Sequence, residues 1–242
     1  RVFFQSDEAY LVYEFGAYVY MRTSKDGLHW SEPQHVAGTG IWHHAYGPCG
    51  KAEAIGTHPH VNPEFEWDCL VGGPPGIYVK GNLLYVFVAF GRAPGHLGCL
   101  VGNRHAGAAG LRKCTTNPLL SAENGYGPPD VLGPGANPYF EFRTLSSADI
   151  VRAGSRYYMV YEGVRGPSSP HTGDDQFALG LARSVGLHLD GTWEKYPGNP
   201  ILMDLPGNVG VGHADLVIVG DATYLYTATP AGTRGRYVLT QR

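Results

Sequence analysis

Two carboxylates of this 242-residue chain stand inside a phrase that occurs twice. The sequence reads Ala148-Asp149-Ile150-Val151 and, 66 residues later, Ala214-Asp215-Leu216-Val217. Each phrase opens a short apolar run, passes a glycine and continues into a tyrosine-rich run. Two carboxylates at equivalent positions can divide acid–base work, because one activates water while the other shifts its partner's pKa. The alternative is that each aspartate only caps a turn before a strand.

Two weaker copies of the pattern lie upstream, so the aspartates belong to a repeat. Residues 75–78 lead to an apolar run at 84–88, and residues 1–4 lead to a run at 10–14. The repeat starts are therefore near positions 1, 76, 149 and 215, separated by 75, 73 and 66 residues. A strand hairpin that recurs at a nearly fixed period is typical of radial repeats, and an all-β unit predicts a β-propeller. A propeller directs the start of each innermost strand to one central channel, where Asp149 and Asp215 would face each other.

The composition favours an all-β chain and narrows the set of partners. The 35 Gly, 18 Pro and 16 Tyr suit many short strands joined by turns. With 43% hydrophobic residues, the chain can form one domain over residues 1–242, with an irregular insertion at 38–73. The net charge of -3, without a Lys/Arg run, makes nucleic acid an unexpected partner. No apolar stretch approaches the roughly 20 residues that span a membrane, so no membrane association is expected.

Two further polar residues accompany the aspartate repeats. Glu162 follows the second strand of its repeat, where it could act as a general acid or accept a sugar hydroxyl; the alternative is an ion pair with Arg165 or Arg183. His213 lies two residues before Asp215, so strand alternation predicts that both side chains face the channel.

Three residues outside the repeat core are candidates for binding a sugar. Arg143 precedes the Asp149 strand and could hold a carboxylate or sugar hydroxyls, although a surface ion pair is the alternative. Trp67 and Asp68 are adjacent in the insertion. There an aromatic ring could stack on a pyranose face while the acid binds hydroxyls. The alternative is a folded loop whose polar groups only bond to each other.

The four cysteines leave two interpretations open. Sequential pairing, Cys49 with Cys69 and Cys99 with Cys114, would close two loops and indicate an oxidising compartment. The other interpretation is four buried thiols. Zinc is disfavoured because no Cys-x-x-Cys spacing occurs.

Several phrases together resemble a known group of enzymes. They are Tyr-Tyr-Met-Val-Tyr-Glu-Gly at 157–163, Gly-Leu-Ala-Arg-Ser at 180–184, Asn-Pro-Ile-Leu at 199–202, the Ser24…Asp26-Gly27…Trp30 hairpin and Gly-Val-Gly-His at 210–213. This set resembles the five-bladed β-propeller glycoside hydrolases of families 43, 32, 117 and 130 in the wide sense. The resemblance covers most of the chain and concerns architecture more than substrate.

The resemblance implies a five-bladed propeller that hydrolyses an oligo- or polysaccharide. The oxidising compartment that paired cysteines would indicate predicts an extracellular or periplasmic location. It implies Asp149 and Asp215 as the paired carboxylates at the channel, with Glu162 as the third. It also implies that His213 lies in the channel. No cofactor is required, and a divalent cation such as Ca²⁺ beside His213 is the ion that the resemblance implies.

Two departures from the family pattern support an alternative. The first two repeat starts are Arg1 and Gly76, which supply no carboxylate. Four repeat starts are visible, so a fifth blade requires upstream sequence or lies within residues 38–73. The alternative function is a non-catalytic propeller that binds a glycan or a protein partner.

Overall fold

The computed structural model describes residues 1–5, 7–15, 18–36, 74–90, 96–122, 140–141, 144–164, 177–203, 211–228 and 234–239. Within these ranges the chain forms four antiparallel sheets, two one-turn 3₁₀ helices and no α-helix. No helix in the described part is long and apolar enough to cross a bilayer. The all-β class predicted from composition is confirmed.

The first sheet contains four strands in sequence order. They are β1 (Val2–Gln5), β2 (Glu8–Phe15), β3 (Tyr18–Ser24) and β4 (Gln34–His35). On β2, Tyr10 and Val12 are buried, while Leu11 and Tyr13, which alternate with them, are partly exposed. This alternation gives the sheet one face that packs against the second sheet.

The second sheet contains five strands and a disulfide. Its strands are β5 (Gly76–Lys80), β6 (Leu83–Phe90), β7 (His96–Asn103), β8 (Arg112–Lys113) and β9 (Leu120–Ser121), with β8 and β9 both pairing with β7. The 3₁₀ helices Arg104–Ala106 and Ala108–Gly110 connect β7 to β8. A disulfide joins Cys99 to Cys114, as the sequential pairing predicts for these two residues. Cys49 and Cys69 lie outside the described residues.

The third and fourth sheets carry the two aspartate phrases. The third contains β10 (Thr144–Ala153), β11 (Arg156–Val164), β12 (Phe177–Ser184) and β13 (Trp193–Lys195). The fourth contains β14 (Gly212–Val219), β15 (Ala222–Ala228) and β16 (Arg234–Leu239). Asp149 and Asp215 therefore lie in the first strands of consecutive sheets.

The register of the inner hairpins is the same in all four sheets. Each repeat start pairs with the residue eleven positions later: Arg1 with Val12, Gly76 with Phe87, Asp149 with Val160, and Asp215 with Tyr226. The turns of the last three hairpins also match, because Gly81, Gly154 and Gly220 have φ values of 60°, 57° and 60°. This left-handed conformation favours glycine. The repeat inferred from sequence is thus a repeat of backbone geometry.

The Asn-Pro phrases of the second and third repeats perform the same structural task. The Asn117 side chain bonds to both the N–H and the C=O of Cys99 on β7. Asn199 bonds in the same way to the N–H and C=O of Leu181 on β12. Each amide side chain thus supplies the two backbone hydrogen bonds that a neighbouring strand would otherwise make.

Three apolar clusters join neighbouring sheets. One packs the first sheet on the second, around Tyr10, Met21 and Leu84. A second packs the second sheet on the third, around Phe87 and Tyr161, and a third cluster joins the third and fourth sheets. Strand β10 contacts β5, β6 and β7 on one side and β14 on the other. The sheets are therefore stacked face to face in chain order, with their inner strands close together.

The inner strands of the second and third sheets approach each other very closely at Gly76. A Cβ at this position would overlap the carbonyl oxygen of Ala148, the residue before Asp149. The departure from the family pattern at Gly76 therefore has a steric reason, since no side chain fits between β5 and β10.

Candidate functional site

A cavity of about 810 Å³ lies along the inner strands of the sheets. Its wall includes residues from all four sheets: Arg1 and Phe3, Ile77 and Tyr78, Asp149 to Arg152, His213, Asp215 to Ile218, Tyr226 and Thr227. The two aspartates and His213, predicted from sequence as site residues, thus share one cavity. Apolar side chains between them give the cavity the mixed lining that is typical of small-molecule sites.

Each aspartate follows a β-bulge, and the two bulges correspond. The register of β10 breaks between Ser146 and Ala148, and that of β14 breaks between Gly212 and Asp215. Ser147 and His213 have positive φ values of 41° and 53°, which are unfavourable for residues other than glycine. Bulges change the direction of the side chains that follow them and are frequent beside active sites. Here the same irregularity stands two residues before each aspartate.

Asp149 keeps its proton to a higher pH than an ordinary aspartate does. Burial raises the pKa of this carboxyl to about 6, against the opposing effects of the Arg1 charge and of a backbone hydrogen bond. That bond comes from the N–H of Leu216, which donates to the Asp149 carboxylate at 2.7 Å. The charge of Asp215 raises the pKa further. The two repeats are therefore linked both by a hydrogen bond and by electrostatics.

Asp215 is in a different environment from its repeat partner. Its side chain is 46% exposed and forms an ion pair with Arg1, with Nη1 2.6 Å from Oδ1. A carboxylate that a guanidinium holds in one orientation and that is open to the cavity is suited to contact water. The equivalent positions thus carry one sheltered carboxyl and one accessible carboxylate.

Glu162 lies beneath His213. Its side chain is 1% exposed, and its Oε2 atom accepts a hydrogen bond from the His213 backbone N–H at 2.7 Å and contacts Nδ1 at 3.2 Å. The hydrogen bond and the charge of Glu162 raise the pKa of His213, against burial and the positive charge of Arg1. Glu14 on β2 also raises it. The imidazole remains on the cavity wall, and its side chain is 59% exposed.

The remaining predicted residues have different outcomes. Arg183 does not pair with Glu162, since it forms an ion pair with Glu194 at 3.0 Å. Arg143, Trp67 and Asp68 lie outside the described residues, and their roles in substrate binding stay predictions.

Two cavity residues were not predicted as site residues. Arg1 was noted only as a missing carboxylate, yet its guanidinium reaches Asp215 in the fourth sheet and Ser147 in the third. Thr227 is 4% exposed, and its hydroxyl has no hydrogen-bond partner in the described part of the chain. Arg1 could have been found from its repeat position, whereas nothing in the sequence distinguishes Thr227 from other strand threonines.

The described residues near His213 are not arranged as a metal site. Among them, no group of three or more His, Cys, Asp and Glu side chains could hold a metal ion. Oε2 of Glu162 is bonded to His213, and Asp215 is bonded to Arg1, whose positive charge opposes a cation. These engaged donors do not fit a Ca²⁺ ion, and the ion expected beside His213 stays a prediction.

The chain has matches among the solved structures of known proteins. No protein-family model and no curated protein sequence matches it. Solved structures do match over nearly its whole length. The structure of a BT0996 complex with RGII aligns with 98% of this chain and 68% of its own, at 17% identity and a TM-score of 0.60.

Two further matches are glycoside hydrolases by name. GH43B of the Bacteroides ovatus xyloglucan PUL aligns with 98% of this chain at 18% identity and a TM-score of 0.51, although the chain spans only 38% of its length. Zg3597, a family 117 glycoside hydrolase from the marine bacterium Zobellia galactanivorans, aligns with 98% of this chain and 67% of its own, at 12% identity and a TM-score of 0.51. The fold is therefore that of glycoside hydrolases of these families, as the sequence resemblance predicts.

Proposed function

We propose that this chain, which has the fold of the propeller glycoside hydrolases, hydrolyses glycosidic bonds in an oligo- or polysaccharide. The observation that carries the proposal is the meeting of Asp149 and Asp215 on one cavity wall, where burial raises the pKa of Asp149 while the Asp215 side chain is open to the cavity. Pairs of titratable groups whose surroundings differ in this way are typical of acid–base sites. The neighbouring structures supply a fold on which such chemistry occurs.

In the proposed reaction, Asp149 is the general acid. Its pKa of about 6 leaves a substantial protonated fraction in mildly acidic solution. The carboxyl gives its proton to the glycosidic oxygen as the bond between that oxygen and the anomeric carbon breaks. The leaving sugar thereby departs with a neutral hydroxyl group.

Asp215 is the partner that activates water. Its exposed carboxylate takes a proton from a water molecule, and the oxygen of that water bonds to the anomeric carbon. Arg1 supports this role because its guanidinium holds the Asp215 carboxylate in one orientation.

His213 and Glu162 complete the proposed site. The exposed imidazole donates a hydrogen bond to a sugar hydroxyl, which fits its position on the cavity wall. Glu162 contributes as the third carboxylate through His213, because its own side chain is 1% exposed. Arg143, Trp67 and Asp68 are proposed to extend the binding surface.

A panel of polysaccharides and nitrophenyl glycosides tests the proposal through the release of reducing sugar or nitrophenol. We expect Asp149→Asn and Asp215→Asn to lower kcat/KM about 10³-fold, the usual contribution of a general acid or base. Asp221→Asn is the matched control, since Asp221 is exposed in the turn of the same sheet as Asp215. Full activity in either cavity variant would disprove the assignment.

The alternative, a glycan-binding propeller without catalysis, is favoured by the engagement of both aspartates. Asp215 is bonded to Arg1, and Asp149 accepts the Leu216 N–H. A binding site of this kind would retain a glycan without cleaving it, with an affinity that changes little between mildly acidic and mildly alkaline solution. Catalysis by a carboxyl pair would instead give a bell-shaped pH profile.

We also propose that the four sheets are blades of a five-bladed propeller and that the protein acts outside the cytoplasm. The identical inner-hairpin registers and the propeller glycoside hydrolases among the structural neighbours support the first proposal. The Cys99–Cys114 disulfide supports the second, since disulfides persist in oxidising compartments.

A further inference from the structure

Arg1 connects the first sheet with both aspartate-bearing sheets. Its Nη1 atom pairs with Asp215 at 2.6 Å, and its Nη2 atom donates to the Ser147 hydroxyl at 3.1 Å and to the Ala214 carbonyl oxygen. The side chain is only 12% exposed. A guanidinium with several fixed acceptors has little freedom to rotate.

The acceptors of Arg1 occupy related places in the two repeats. Ser147 is the bulge residue two positions before Asp149, and Ala214 immediately precedes Asp215. Arg1 therefore bonds to a side chain in the irregular segment before Asp149 and to the backbone in the irregular segment before Asp215. A bulge alone leaves unpaired backbone groups, and a bonded side chain restricts its conformation.

Arg1 also acts on the titration of the cavity side chains. Its positive charge lowers the pKa of Asp149, against the larger effect of burial, and lowers that of His213. Among the described residues that line the cavity, the charged groups near Asp149 are Arg1 on the first sheet and Asp215 and His213 on the fourth, with Arg152 farther along its own strand. Arg152 differs from Arg1 because its side chain is exposed and its Nε donates to a nearby carbonyl, that of Gly154.

We propose that Arg1 is a positioning residue of this site. It orients the Asp215 carboxylate and holds the two bulges that precede the aspartates at a fixed separation. This inference rests on the proposed hydrolysis for its catalytic consequence. The clamp itself is a property of the free protein and can be measured without a substrate.

The test compares Arg1→Met and Arg1→Lys with the matched control Arg152→Met. Carboxyl ¹³C NMR of the whole chain follows the titration of Asp149 in each variant. We expect Arg1→Met to move the Asp149 titration upward by about one pH unit, because a nearby positive charge is lost. Arg152→Met should leave it within about 0.3 unit, since Arg152 is not among the main influences on Asp149.

Kinetics with a cleaved glycoside separate orientation from charge. Arg1→Lys keeps the charge but loses the planar fork, so we expect kcat to fall about tenfold or more with little change in KM. Methylguanidinium added to Arg1→Met should restore part of the rate. If Arg1→Met fails to fold, Arg1→Gln replaces it in the titration, since it also lacks the charge, and Arg1→Lys still gives the kinetic readout.

Two results would overturn the proposal: an Asp149 titration unchanged in folded Arg1→Met, or full kcat in Arg1→Lys. An Asp149 shift in a protein that cleaves no glycoside would support the clamp and count against the proposed hydrolysis instead. The two proposals are therefore separable.

Discussion

A single oxygen of Glu162 contacts both the backbone N–H and the imidazole Nδ1 of His213, at 2.7 Å and 3.2 Å. The carboxylate is buried and the imidazole is exposed, so the pair reaches from the interior of the third sheet to the cavity wall. His213 is also the bulge residue, with φ of 53°. Glu162 thus stabilises an unfavourable backbone conformation and the charge of the side chain attached to it.

Replacing Glu162 by Gln should lower the pKa of His213. The amide can still accept the His213 N–H, but it carries no charge to favour the imidazolium. Because the wild-type pKa of His213 is raised, its stabilising contribution is full below the unfolded-state pKa and is lost as pH rises through the folded-state pKa. We therefore expect Glu162→Gln to destabilise the protein more in mildly acidic than in mildly alkaline solution.

Histidine ¹H–¹³C NMR and urea unfolding on either side of neutral pH make this measurement. Glu194→Gln is the control, since Glu194 is an exposed carboxylate of the same sheet that pairs with Arg183. An unchanged His213 titration in Glu162→Gln would show that the carboxylate does not act on the imidazole.

Replacing Asp149 by Asn should stabilise the protein at alkaline pH. Burial raises the pKa of Asp149 from 3.8 to about 6, so the folded state binds this proton more tightly than the unfolded state does. The wild type therefore loses stability as pH rises from about 4 through 6. Asn cannot ionise, and we expect a gain of about 1–3 kcal/mol at about pH 8 and almost none at about pH 4.

The check is the free energy of unfolding across this pH range for Asp149→Asn and for Asp221→Asn, an exposed aspartate of a turn. If Asp149→Asn loses activity and gains stability, it shows the stability–activity trade-off that is expected at an active site. A variant less stable than the wild type at alkaline pH would contradict the raised pKa.

Replacing Thr227 by Val should raise the stability of the free protein and lower its affinity for a glycan. The buried Thr227 hydroxyl lacks a partner in the described residues, so an equally large methyl group should stabilise the free protein by about 1 kcal/mol. If the hydroxyl serves a sugar, glycan affinity should fall about tenfold. Thermal unfolding and glycan titration of Thr227→Val and of Thr223→Val, on the same strand outside the cavity lining, test this. Lower stability in Thr227→Val would mean that the hydroxyl is already bonded in the free protein.

Replacing Gly76 by Ala should separate β5 from β10. The added Cβ would overlap the Ala148 carbonyl oxygen, and backbone on both sides leaves little room to relax. We expect a loss of about 3 kcal/mol or more, as for severe overpacking. Gly154→Ala is the comparison, because nothing lies within 4 Å of a Cβ there and only the positive φ of 57° opposes it, at about 1 kcal/mol. Equal losses in the two variants, measured by urea unfolding, would rule out the close approach.

Much of the fold was predictable from the sequence, because the residues that repeat are those that form the strands and turns of each sheet. The apolar runs and turn glycines mark the inner hairpins, and the two Asn-Pro phrases mark the same side-chain contact with the outer strands. The alignment of Arg1, Gly76, Asp149 and Asp215 is confirmed by the common pairing register.

The details of the site were less predictable because they depend on departures from regular strand geometry. Strand alternation predicted that His213 and Asp215 share a face, and both do line the cavity. However, a bulge intervenes between Gly212 and Asp215, so alternation is not the reason. The burial of Glu162 and the reach of Arg1 depend on contacts between sheets, which no local pattern encodes.

The matching turn glycines limit how much sequence this architecture must conserve. Gly81, Gly154 and Gly220 adopt nearly the same φ, and nothing crowds the missing side chain at any of them. What the three hairpins require in common is a glycine at one position of the turn. The matched structures share this fold at only 12–18% identity, as so small a requirement allows.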